Sequence, residues 1–158
     1  MYIEEEVASK TSTVDVPDWE QAYSELKNIL ESRFFFHRVE EEKFRHNIEK
    51  GLVVSKINLY REMDDYTTVE ITIMLSLEQE SPDSKRAQAT IDSKVEVVTR
   101  YPEQTPFQRS ALYFALRSIW DKLVYGWARG KWKDEAEEIM IDVHSEIRGY
   151  FQSMETRV

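Results

Sequence analysis

Strict alternation of apolar and polar residues over two adjoining stretches constrains this chain more than any other feature. Residues 67–79 place Val69, Ile71, Ile73, Leu75 and Leu77 on one side, with Thr68, Glu70, Thr72, Met74, Ser76 and Glu78 on the other. Residues 86–101 repeat the pattern, with Ala87, Ala89, Ile91, Ser93, Val95, Val97, Thr99 and Tyr101 facing one way. A period of two is the pleat of a β-strand, and so apolar a face must be covered. Residues 52–62, with Leu52, Val53, Val54, Ile57, Leu59 and Tyr60, read as a less regular third strand. Asp64-Asp65 and Ser81-Pro82-Asp83-Ser84 are the intervening turns. The three strands form an antiparallel meander with one wet face. A one-residue slip would expose the whole apolar set, so the register is well specified.

The flanking segments follow a different period. Residues 1–14 are rich in Val, Thr and Ser and read as an edge strand. Asp18 with Gln21 makes a capping box, and Trp19, Ala22, Tyr23, Leu26 and Leu30 form the apolar stripe of a helix running to about Arg33. Of Phe34-Phe35-Phe36, at least one ring should cap a core edge or face a partner, because three consecutive residues cannot share a face. Residues 39–50 are mostly charged, but Phe44 and Ile48 lie one helical turn apart and Gly51 takes the stop position, predicting a short helix. Residues 107–127 predict a helix apolar around most of its circumference, a type normally covered on two sides. Arg129-Gly130 should break or bend it. A last amphipathic helix then covers 131–154.

The predicted class is α+β over a single domain, residues 1–158: a meander plus an N-terminal strand, with one N-terminal and two C-terminal helices packed on one face. By element order only, this resembles helix-grip and TATA-box-binding-like folds, in which a long terminal helix lies across a curved sheet. The resemblance implies an architecture and no function.

Several chemistries are excluded. The chain has no cysteine, which removes disulfides, thiolate metal sites and thiol nucleophiles and favours a cytoplasmic location. There is no signal-peptide pattern, and no apolar run nears the roughly 20 residues that span a bilayer. His37, His46 and His144 fall in no metal-binding spacing, and Asp134, Glu138 and Asp142 line one helix face as solvation alone would arrange them. No serine sits in a nucleophile elbow, and the four glycines form no phosphate loop. The sequence therefore predicts no catalytic residue, metal or cofactor.

What remains are surfaces. The net charge is −9, yet Arg100 to Lys133 carry seven basic residues against Glu103 and Asp121, while the remainder holds 14 basic and 28 acidic. Within that stretch Tyr125, Trp127, Arg129, Lys131 and Trp132 interleave aromatic and basic groups, the composition of protein–protein contact hot spots. The expected function is a non-enzymatic binding or interaction domain, with this segment meeting a protein partner or a second copy. One alternative is a small apolar ligand, or an enzyme substrate, in a cavity between sheet and C-terminal helix. There the small Ala87, Ala89 and Ser93 face bulky side chains, and Tyr101, Tyr113, Trp120 and His144 would line the space. Nucleic-acid binding through residues 100–133 is the other, against which the acidic balance argues.

Overall fold

A computed structural model describes residues 2–156. Five strands form one antiparallel sheet: β1 (Tyr2–Val16), β2 (Arg38–Asn47), β3 (Leu52–Glu62), β4 (Thr67–Gln79) and β5 (Ala87–Arg100), in the order β1-β5-β4-β3-β2. The meander keeps one unbroken register, with Ile73 opposite Ile57 on one side and Ser93 on the other. Its alternation becomes alternate burial: Val69, Ile71, Ile73, Leu75 and Leu77 are all buried.

Helix α1 (Trp19–Ser32) starts where Asp18 accepts the Glu20 and Gln21 backbone N–H groups, satisfying two donors that a helix start leaves orphaned. It buries Ala22, Leu26, Ile29 and Leu30. Phe34 and Phe36 pack against the core edge, and Phe35 is left exposed.

The short helix predicted over 39–50 is instead strand β2. Its register shifts between Glu41 and Lys43. This bulge inserts one residue and puts Val39, Glu41, Phe44 and His46 on one face. Tyr23 of α1 donates to Glu41 at 2.6 Å and stacks on Phe44, and Trp19 meets the His46 ring edge-on. As a sheet edge, β2 has reason to be charged, since charge discourages pairing with foreign strands. Gly51 ends no helix. It turns β2 into β3 at φ +62°, where a side chain would be strained.

The C-terminal helices also differ from expectation. Helix α2 (Ala111–Trp120), capped by Ser110, runs through a wide π turn (Asp121–Tyr125) into α3 (Gly126–Thr156). There is no break at Arg129-Gly130; the irregularity falls one turn earlier. The Gly126 N–H bonds the Asp121 carbonyl, five residues back, and a Cβ on Gly126 would lie 2.9 Å from that oxygen. Helix α3 spans the sheet end to end. Arg86, beside the start of β5, pairs with Glu155, and Tyr125 bonds Thr67, opposite the end of β5. Thirty-one residues at 1.5 Å match fourteen strand residues at 3.3 Å, both about 46 Å. Helix α2 therefore continues past the sheet. Ala136, Val143, Ile147, Phe151 and Met154 of α3 share one core with α1 and the inner sheet face.

Candidate functional site

Every fourth residue from Tyr113 to Arg129 turns toward the sheet end: Tyr113, Arg117, Asp121, Tyr125 and Arg129 are buried or half-buried. In a regular helix each such step advances about 40°, so five residues would spread around the rod. The π turn takes back part of that rotation and keeps them on one side.

These residues build a base for α2. The Arg117 guanidinium lies over the rings of Tyr66, Tyr101 and Tyr113, at 4.8 to 5.4 Å, and donates to the Tyr113 hydroxyl at 2.9 Å. Tyr66, Tyr101 and Tyr125 stack on one another at 5.4 to 6.2 Å. The Asp121 carboxylate accepts from Tyr101 at 2.8 Å and from Arg129, which also donates to Thr99 and lies near Glu5. Asp64 caps its own turn through the Tyr66 and Thr67 N–H groups and accepts from Tyr125 at 2.5 Å and Trp132 at 2.9 Å. Burial alone would raise the Asp64 carboxyl, but the Tyr125, Tyr66, Trp132 and Thr67 hydrogen bonds outweigh it and hold it below its ordinary range. Burial, then the bond to Asp64, pushes the Tyr125 phenol up to about 12.

The opposite side of α2 is bare. Leu112, Leu116, Ile119, Trp120, Leu123, Val124 and Trp127 are 45 to 84% exposed, with Phe107 and Phe114 exposed nearby. The expectation of cover on two sides is overturned: this helix is covered only along its back.

Of the interleaved segment, Tyr125 and Arg129 are buried in the base, and Trp132 is half-buried and anchored to Asp64. Trp127 and Lys131 are exposed. The basic surplus is largely engaged within the fold. Arg117 sits among tyrosines, Arg129 pairs with Asp121, Lys133 pairs with Glu5, and Arg100 lies 3.7 Å from Glu70.

The four cavity candidates are not brought together. Tyr101 and Tyr113 meet at Arg117, Trp120 faces outward, and His144 is buried in the middle of the sheet–helix interface. His144 contacts the Ser12 hydroxyl at 2.8 Å through Nε2 and the Ser93 hydroxyl at 2.7 Å through Nδ1. Burial, and after it the positive charges of Lys10 and Arg148, lowers its pKa below 6.5. Among the described residues the principal depressions are open surface clefts, and none of these lies between the sheet and α3. Ala87, Ala89 and Ser93 are fully covered. Among the described residues no three His, Asp or Glu are grouped to hold a metal ion, and no helix is long and apolar enough to cross a membrane.

The spacing of Tyr113, Arg117, Asp121, Tyr125 and Arg129 was a readable signal for the base. Asp64 in a turn and Glu5 in an edge strand carried none.

Fold and site together define an α+β domain that holds an apolar helix out on an aromatic and ionic base. No family model and no curated protein matches the chain. Among solved structures, it is similar to an uncharacterised protein from Rhizobium leguminosarum at 8% identity and a TM-score of 0.25, over 65% of this chain and 85% of that one.

Proposed function

We propose that this chain is a non-enzymatic interaction domain whose contact element is the outer face of α2, the π turn and the first turn of α3. One observation carries the reading: the seven side chains on that face leave on the order of 900 Å² exposed, above the roughly 300–600 Å² of the largest apolar patch on a typical monomer. The buried base supports it, because it holds the helix in place without covering its outer side. A contact surface so fixed loses little conformational entropy on binding. Trp127 and Lys131 extend the face into the segment where aromatic and basic residues interleave.

The test is a photo-crosslinking residue at Leu116, with Thr72 on the outer sheet face as control, in cells producing the full chain. Protein adducts at Leu116 and none at Thr72, whether with a second copy or with another protein, are expected. No protein adduct at Leu116 overturns the reading.

A further inference from the structure

We infer that the occupant of this face is the same helix of a second copy, paired through Leu112, Leu116, Ile119 and Leu123; this rests on the interaction reading above. Those four residues are spaced by four, three and four. That is the core seam of a coiled coil over two heptads, a pattern that fits another helix and not a flat surface. Trp120, Val124 and Trp127 flank the seam.

Three observations favour a second copy. The first is area: the face offers on the order of 900 Å², against about 800 Å² per partner in an interface of standard size. The second is self-complementarity. In an antiparallel pair Leu112 meets the other copy's Leu123 and Leu116 meets its Ile119, so every layer is apolar on both sides. Beyond Leu123 the seam positions are Gly126 and Gly130, which open a shallow cleft beside Trp127. The third is charge. Between Leu112 and Trp127 the charged residues are Arg117, Asp121 and Lys122. Arg117 and Asp121 point into the base. Lys122 alone flanks the seam, and in the antiparallel pair it comes opposite Ala115, with no like-charge clash. The back of α2 faces the base at the end of its own sheet, through Arg117 over Tyr66 and Tyr101, so the base of each copy lies on the outer side of the helix pair.

Light scattering and sedimentation of the purified full chain, from low to high micromolar concentration, test the inference. Wild type is expected at twice the monomer mass. The double variant Leu116→Glu/Leu123→Glu is expected to be monomeric with an unchanged circular dichroism spectrum, since both sites are exposed. Thr72→Glu should leave the dimer intact. As the chain lacks cysteine, Leu112→Cys and Leu123→Cys can be mixed and oxidised; a mixed disulfide in excess of either symmetric one is expected of antiparallel helices. If the double variant fails to fold, this disulfide readout decides alone. A wild type monomeric at every concentration overturns the second copy, and a foreign adduct at Leu116 would then leave the interaction reading standing. Flotation of the chain with phosphatidylcholine/phosphatidylserine vesicles, lost in the double variant and without any protein adduct, overturns both.

Discussion

Asp121 and Arg129 form a buried ion pair across the π turn, eight residues apart on one helix. In a regular helix the eighth residue lies two turns on and about 80° round, outside easy reach. The wide turn closes that angle. The pair therefore records the irregularity: without the wide turn these two side chains would point apart.

Arg129→Met should be among the most damaging single changes. It leaves the Asp121 carboxylate buried with Tyr101 as its remaining partner. Breaking a buried pair from one side costs about 3–5 kcal/mol. Urea unfolding should show that loss, and hydrogen exchange over 111–125 should accelerate. Asp121→Leu combined with Arg129→Met should recover much of the stability, because no charge is then left uncompensated.

Two glycines of α3 should respond to alanine with opposite signs. At Gly126 the new methyl meets the Asp121 carbonyl at 2.9 Å, so Gly126→Ala must deform the π turn. A loss of about 1–3 kcal/mol is expected, as for overpacking elsewhere. At Gly149 nothing lies within 4 Å. Gly149→Ala should gain about 0.5–1 kcal/mol from helix propensity alone. Thermal unfolding of the two variants side by side checks the contrast.

His144 should make stability depend on pH in the mildly acidic range. Its pKa is lowered in the fold, so the unfolded chain binds the proton more readily. The contribution is complete above the ordinary value of 6.5 and is lost as pH falls from there through the folded value. Lys10 and Arg148 add to the lowering and Asp92 opposes it. His144→Gln keeps a polar side chain between Ser12 and Ser93 but cannot titrate. Its stability should be flatter than wild type between about pH 5 and 6.5, read by denaturant unfolding at several pH values. Equal slopes in both proteins would refute the assignment.

The parts legible in sequence were those that repeat. Val69 to Leu77 showed a pleat, and Asp18 ahead of an apolar stripe showed a helix start, because both signals are local. Strand β2 was hidden. Its bulge at Glu42 puts Val39 and Phe44 on one face at an odd spacing, and edge charge imitates a solvated helix. The helix over 107–127 was legible, but its exposure was not. Hydrophobicity says that a surface avoids water and leaves open what covers it. The basic stretch misled for a related reason: Arg129 and Lys133 find Asp121 and Glu5 only after folding. His144 gave no sign that serines 132 and 51 residues away would meet both its nitrogens.

The attachment of α2 to the sheet can be loosened without touching its outer face. Tyr125 donates to Asp64 and shares a hydrogen bond with Thr67, while its ring stacks on Tyr66 and Tyr101. Tyr125→Phe keeps the stack and removes the hydroxyl. Asp64 retains the Tyr66 and Thr67 N–H groups and Trp132, so it stays satisfied. The loss should therefore be that of the hydrogen bond to the charged Asp64 acceptor, about 1.5–3 kcal/mol, plus that of the buried Thr67 hydroxyl's bond, about 0.5–1.5 kcal/mol. The same variant changes the alkaline limb. A phenol raised to about 12 from 10 stabilises the fold below pH 10, and that contribution disappears as pH rises from 10 through about 12. Spectroscopic titration of the phenolates should lose its component near 12 in Tyr125→Phe. If the component persists, the shifted phenol is not Tyr125.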